Sequence, residues 1–576
     1  MVIQSDKELL VPIIIGITGH RDIAKENYKI LENKIKEIVM EIKSLCTNSP
    51  IVLLSPLAEG ADRIAARAAL EIGIDLVAPL PMKREEYEAT FLEESKVEFR
   101  ELISKAKRYF KVPMNDSFTN MENDVYYENL GVFIAQNAHI LIALWNGIEN
   151  GKKGGTSQVV NYKLFGIPNN YRKNNDILNF NDSGSVYHIV TPRMERDDVI
   201  GEKFSINRKF PGIREDAYSM DVYNEKNKKA KIVYDKVIQQ IDEFNKDIKN
   251  HLYKNINLMK KNIGYIIDEE KLKQADYETQ VMVRSYGCAD VLSLYYQNIS
   301  TKAQKSLFIL GVIAVLFFEL YAHMFSYNLV LLLYPVTIIL AGFFYYIANK
   351  NNIHNKYIDY RAIAEGFRVQ IYWKLMEINY EVADYYLKKQ KTELEWVRYV
   401  LRMHNIYKVN DTINKSVGSI ESAKYVMSHW VEDQFKYYYK KSRQHKRNFE
   451  SQERKINLFF FGGIATAIVL FLMELFEFEI PNNLHHLLII IMGLAPAIAA
   501  AIGGYTNKMA FSEQQKRYKR MEEIFECAKN YLDLYINKEN IMQVDEIIFE
   551  IGKDALLENG DWVILYREKP MALPKG

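Results

Sequence analysis

The sequence predicts an N-terminal α/β domain built on a parallel sheet, followed by an all-α membrane domain with four transmembrane helices and long cytoplasmic helices. Two observations carry that reading. Short β-branched runs alternate with helical periodicity through residues 1–195, the pattern of a parallel sheet flanked by helices. Four nearly uncharged blocks then fall in the second half, each about 20 residues long, enough for a helix to cross a ~30 Å hydrocarbon layer.

In chain order, Ile13–Ile17 reads as a buried strand, Tyr28–Leu45 as a helix and Ile51–Leu54 as a second strand. Ala61–Ile72 reads as a helix, Asp75–Pro79 as a strand and Tyr87–Ala106 as a helix, with later strands at His139–Trp145 and Val186–Thr191. In such a sheet ligands sit at the carboxyl ends of the strands. Three loops fall there: "GITGHRD" (Gly16–Asp22), "SPLAEGADR" (Ser55–Arg63) and "GKKGGTSQ" (Gly151–Gln158). Glycines let backbone N–H groups approach phosphate oxygens, and helix N-termini present unpaired donors. The candidate ligand-binding residues are therefore Gly16, Thr18, Gly19, His20 and Arg21; Ser55, Glu59, Gly60, Asp62 and Arg63; and Gly154, Gly155 and Thr156. Arg193 offers further charge, and Trp145 a face on which a base can stack. Plain turns and strand-end packing are the alternative reading of each.

Beyond this domain, residues 201–274 read as a helical linker. Val233, Val237, Ile241, Phe244 and Ile248 form one apolar stripe along it. The membrane blocks are Ser306–Phe325, Leu329–Ala348, Ile456–Leu475 and Leu487–Tyr505. Buried helices of a soluble core are the alternative, disfavoured by the full spanning length of all four. The turns within each pair carry no Lys or Arg, although the second holds Glu477 and Glu479. Lys302, Lys305, Lys350, Lys356, Lys446, Arg447, Arg454, Lys455, Lys508, Lys516 and Arg517 flank the other ends. Basic flanks favour the cytoplasmic side, so both termini and residues 350–455 are expected there.

Within the spans Glu319 is the least expected residue, because an ionisable group in hydrocarbon faces a partner helix or water. It either does so here or lies high enough to reach the outer interface beside His323. Pro335 and Pro496 mark kinks and, with Glu319, are the candidate gating positions. Small residues recur at Gly493, Ala497 and Ala501, and at Ala495, Ala499 and Gly503, spacing that lets helices approach closely.

The two hairpins read as copies. "LSLYYQ" (Leu292–Gln297) precedes the first and "FKYYYKK" (Phe435–Lys441) the second. Tyr360, Arg361, Glu365 and Phe367 follow the first as Tyr518, Lys519, Glu523 and Phe525 follow the second, a seam along one side of a helix. The units so defined are residues 275–405 and 406–576.

Composition excludes other classes. Across 576 residues the formal net charge is +2, which gives no global argument for direct nucleic-acid binding. Cys46, Cys288 and Cys527 lie far apart, with neither metal-ligand spacing nor a disulfide framework, as in a reducing cytosol. Lys7 and Glu8 precede a short strand-like run, so no signal peptide is expected. No metal and no catalytic set is indicated.

The motifs resemble a known family. "GITGHRD", "SPLAEGADR", "ALWNGIENGKKGGTSQVV" and "TPR" are similar to the SLOG domain, a Rossmann-like group shared by lysine-decarboxylase-like phosphoribohydrolases and the bacterial DNA-processing protein; the likeness covers residues 1–200. "YRAIAEGFRVQIYW" and "WVEDQFKYYYKK" resemble two copies of the SLATT transmembrane hairpin. The resemblance implies a bacterial conflict protein of the inner membrane. Its SLOG domain would sense a nucleotide-derived ligand, whether cyclic, linear or NAD-derived, and its hairpins, as a homo-oligomer, would perforate the bilayer in antiphage defence. The hydrolase relatives carry a Glu where Val159 stands, and a valine moves no proton. Binding without turnover is therefore expected. A membrane-anchored hydrolase using Glu59 or Asp62, and a nucleotide-regulated channel or transporter using Glu319, are the rivals.

Overall fold

A computed structural model describes residues 9–114, 123–149, 151–172, 183–196, 198–214, 219–325, 327–387, 394–408, 418–478 and 480–571. The chain forms two compact units, each assembled from separate stretches. One comprises Met1–Cys288 and Ile363–Val417, the other Ala289–Ala362 and Gly418–Gly576.

The first unit holds a seven-stranded sheet: β1 Ile13–Gly19, β2 Ile51–Leu54, β3 Asp75–Leu80, β4 Arg108–Lys111, β5 Ile140–Trp145, β6 Val186–Val190 and β7 Ile206–Lys209. Spatial order is β4-β3-β2-β1-β5-β6-β7. All neighbours run parallel except β6 and β7, which are antiparallel. The helices α1 Tyr28–Leu45, α2 Ala61–Glu71, α3 Arg84–Ala89, α4 Glu93–Lys105, α5 Asn123–Asn137 and α6 Thr156–Phe165 make the crossovers. Because β2 lies on one side of β1 and β5 on the other, the order reverses at β1. Such a switch point opens a crevice at the strands' carboxyl ends.

The single helix expected over Tyr87–Ala106 is two. Phe91 drops into the core between them, its ring 4.9 Å from Tyr87 and 5.2 Å from Phe99, while the Thr90 hydroxyl bonds the Tyr87 carbonyl. Burying that ring outweighs continuing the helix.

Next come α7 Met220–His251, α8 Ile256–Ile263 and α9 Glu269–Gln274. The expected stripe holds along α7, where Val237, Ile241, Phe244 and Ile248 are buried, although Val233 is exposed. Asn245 of α7 bonds both the N–H and the carbonyl of Val11, each at 2.8 Å. Asp242 accepts from Asn48 and Ser49, so α7 is fastened to the sheet's amino edge.

The remaining helices are α10 Tyr277–His323, α11 Asn328–Lys350, α12 Ile353–Leu375, α13 Glu395–Arg402, α14 Ile420–Val426, α15 Glu432–Leu475, α16 Asn482–Lys508, α17 Phe511–Asn537 and α18 Ile541–Arg567. Four of them, α10, α11, α15 and α16, contain stretches long and apolar enough to cross a membrane, and at most 17 % of any such stretch is buried inside the protein. A soluble core would cover them; apolar stretches of this length left uncovered fit contact with a lipid bilayer. The chain has the build of a multi-pass membrane protein.

In the second unit the two hairpins match in detail. Each returning span breaks at a left-handed residue, Asn352 at φ 49° and Ala510 at φ 50°, before the next helix. Tyr296 meets Tyr360 at 5.7 Å in the first copy, and Tyr438 meets Tyr518 at 5.7 Å in the second. The two small-residue series of α16 serve different partners. A side chain at Gly493 would strike the Glu319 carboxylate on α10, as one at Gly504, a member of neither series, would strike Phe308 there. Ala495 and Pro496 instead meet Gly463 of α15. Glu319 thus faces a neighbouring span, with His323 Nε2 3.5 Å away. Pro335 and Pro496 sit inside continuous helices.

Candidate functional site

The loops singled out in the sequence meet at the carboxyl edge of the sheet, and backbone chemistry holds them there. His20 is the knot. Its N–H donates to the Leu144 carbonyl at the end of β5, and its carbonyl accepts from Ala61 at the start of α2, both at 3.0 Å. The Asn146 N–H donates to its ring Nε2 at 3.1 Å. Burial, aided by the Arg193 charge, pushes the imidazole down to about 4, so the ring is neutral and can accept that bond. Gly60, at φ 75°, crosses directly over the His20–Arg21 peptide, where any Cβ would collide with both carbonyls.

Arg193 donates to both oxygens of Asp22, at 3.0 and 3.1 Å, which ties the segment after β6 to the segment after β1. Gly154 passes against the backbone of Tyr127 and Glu128 in α5. Its N–H bonds Gln158, while Glu128 accepts from Tyr162 and Tyr171. Gly155 caps α6 and Thr156 begins it. Arg21, exposed, lies over the Tyr127 ring at 5.1 Å. Thr18 is half-buried at the end of β1, and Glu59 half-buried before Gly60.

Other candidates are placed differently. Gly16 lies within β1, paired with Leu54 and Leu141, at a close approach of α5: a Cβ there would meet Ala138 and Ile134 at 2.8 Å. Gly19 is likewise a close approach, of β1 to Ala61. Arg63 is 2 % exposed and bonded to the Leu57 carbonyl, to Ser95 and to Glu98. It fastens α2 to α4. Trp145 is buried, its Nε1 donating to Ile148 and its ring 5.3 Å from His188. The Ser55 hydroxyl donates to the Asp62 carbonyl and so shapes the second loop.

Asp62 is buried. Burial pushes its carboxyl up to about 7, against the pull of Arg21, the Ala58 N–H and Arg63. Tyr87, Tyr127 and Asn146 complete the edge and escaped sequence reasoning, as did the role of Asp22, which ends the first loop. Their one legible signal is position, directly after strands or in a helix that starts at the same edge. Among the described residues, no group of three or more His, Cys, Asp or Glu is arranged to hold a metal ion.

A second group of residues joins this unit from far along the chain. Ile406 packs in the core formed by β2, β5, β6, α5 and α6, and Tyr407 packs against it. Lys163 of α6, 1 % exposed, donates to the Ala135 and Ala138 carbonyls that end α5 and approaches the Tyr399 hydroxyl at 3.4 Å. Asn405 donates to Asn137 at 3.1 Å. No protein-family model matches the chain, and no curated protein matches it.

Proposed function

We propose that the chain is a ligand-gated membrane effector. Its α/β unit is a SLOG-like sensor of a nucleotide-derived signal, and its paired hairpins are SLATT-like modules that open a pore or disrupt the bilayer. In this reading the protein is an antiphage effector of the bacterial inner membrane, oligomeric, with both termini cytoplasmic. One observation supports it above the rest: residues 394–407, which the sequence places between the second and third spans, are built into the sensor's own core. The helix that starts at the Gly155–Thr156 turn carries Lys163, which reaches that segment. A ligand that favours one arrangement of the turn then favours one arrangement of the segment joining the hairpins. Its leverage equals its differential affinity for the two states, about 2–5 kcal/mol for a useful shift.

The test is dye release from liposomes holding the full chain, with candidate nucleotides added. Release with one nucleotide and not its neighbours supports the reading; a tightly bound nucleotide that releases nothing refutes it. The hydrolase alternative draws on Asp62, whose carboxyl is held near neutrality as a general acid requires. It predicts free base in the same reactions, lost in Asp62→Asn.

A further inference from the structure

Lys508, the last residue of α16, is a cation that its surroundings do not neutralise. Its ammonium donates to the Pro570 carbonyl, in the segment that follows α18. Lys569 returns the exchange, donating to the Asn507 carbonyl at 3.1 Å and to Glu513 at 3.2 Å. The ends of α16 and α18 thereby bring two ammonium groups together. Lys569 takes the one carboxylate among these contacts, and exposed Lys516, one turn along α17, acts on the same Glu513. The charge that bears on Lys508 is that of Lys569, another cation. An ammonium has three N–H donors. Among the described residues Lys508 uses one of them and Lys569 two, so both keep donors to give, and positive charge is in excess.

Position restricts which anion balances that charge. Lys508 lies one turn beyond Tyr505, on a helix whose apolar stretch the protein leaves largely uncovered. Tyr505 marks the end of that stretch: its ring meets Phe308 of α10 at 6.1 Å, and the Lys305 ammonium lies over it at 5.9 Å. Aromatic rings between apolar side chains and lysines are the composition of a bilayer's headgroup level. Basic clusters between spans at that level hold anionic headgroups. A free anion would use the ammonium groups alone, whereas a phospholipid would also lay its chains on the apolar surface that continues from them along α10 and α16. We propose that Lys508 and Lys569 bind the phosphate of an anionic phospholipid seated on that surface. The first hairpin makes no such exchange among the described residues. Its Lys350, two residues before Asn352 as Lys508 is before Ala510, is exposed, with its ammonium 5.8 Å from the Tyr346 ring. The lipid site stands apart from whatever ligand the α/β unit takes.

The test is native mass spectrometry of the full chain in detergent, titrated with dioleoyl-phosphatidylglycerol, dioleoyl-phosphatidylcholine, glycerophosphoglycerol and inorganic phosphate. Phosphatidylglycerol should bind wild type most tightly. Lys508→Gln and Lys569→Gln should each lower its affinity about fivefold, and together about 25-fold, the scale of one lysine at an anionic lipid surface. Lys350→Gln, the matching position of the first hairpin, should leave that affinity unchanged. Lys508→Arg with Lys569→Arg keeps both charges and should bind as wild type does, which separates charge from folding. Equal affinity for the two lipids overturns the site, as does an unchanged affinity in the double glutamine variant, a loss in the arginine pair, or an equal loss in Lys350→Gln. Glycerophosphoglycerol or phosphate binding as tightly as the lipid would reveal a site for a soluble anion and overturn the lipid assignment too.

Discussion

His404 offers a quantitative handle on the segment 394–407 that packs into the core of the α/β unit. Its ring is 2 % exposed and lies between two carboxylates, Nδ1 2.7 Å from Glu278 and Nε2 3.1 Å from Glu381. Lys374 pairs with Glu278 at 2.7 Å and reaches Asp276 at 3.5 Å, while Lys408 lies 3.7 Å from Glu381. Burial opposes charge on the ring, but the two carboxylates win and raise the imidazole to about 8. Glu278 is buried too, yet His404, Lys408 and Lys374 hold it down at about 2, so it stays ionised throughout the range that matters here. A histidine that ionises near 8 when folded and near 6.5 when unfolded adds stability that is complete below pH 6.5 and lost as pH rises through 8. At 1.36 kcal/mol per pH unit the difference is about 2 kcal/mol, or roughly a 30-fold change in opening. The assay is hydrogen exchange of amides 395–407 in the full chain at pH 6, 7.5 and 9, corrected for intrinsic rates. Opening of that segment should rise across the window in wild type and stay flat in His404→Gln. Equal pH dependence in the two proteins would show that the imidazolium is not what clamps the segment.

Three further expectations concern the fold and the site. Asp62, whose carboxyl is pushed up by burial to about 7, binds a proton more tightly when folded, so the α/β unit should lose stability as pH rises from about 4 to 7. Asp62→Asn should flatten that slope, by up to about 4 kcal/mol at pH 8, in denaturant titrations followed by tryptophan fluorescence. Gly60→Ala must place a Cβ against the His20 and Arg21 carbonyls at a positive φ, and should cost about 1–3 kcal/mol by the same assay. A Gly463→Cys, Ala495→Cys pair should form a disulfide in membranes under mild oxidation, because the Cβ positions lie 3.5 Å apart, at the short end of the range a disulfide needs. Failure to cross-link, with Cys527 replaced and both cysteines present, would refute the packing of α15 on α16.

The site was partly legible because its logic is local. β1 and β2 end in glycine-bearing turns, and a parallel sheet places such turns at one edge. Residue types alone could not say which way a side chain turns there. Arg63 has the chemistry of a phosphate ligand, yet the Leu57 carbonyl, Ser95 and Glu98 take its Nε and Nη1 and hold it in the protein interior. Tyr87 looked like the first residue of an amphipathic helix. Its burial became visible only when Phe91 and Phe99 closed around the ring.

What the amino-acid order decides unaided is whatever depends on neighbours along the chain. The alternation of strands and helices, the four spans, and the hairpin copies with their matching tyrosines all follow from periodicity and hydrophobic length. What the tertiary structure decides is which distant residues meet. Ile406, Tyr399 and Asn405 are ordinary residues of a charged helical stretch until β5, β6 and α5 supply the surface they bury. Glu319 is an isolated acid until Gly493, for want of a side chain, lets it sit against the opposite span. Contacts of that kind are set by packing in three dimensions, where sequence separation carries no information, and those of Ile406, Tyr399 and Asn405 build residues 394–407 into the core of the α/β unit.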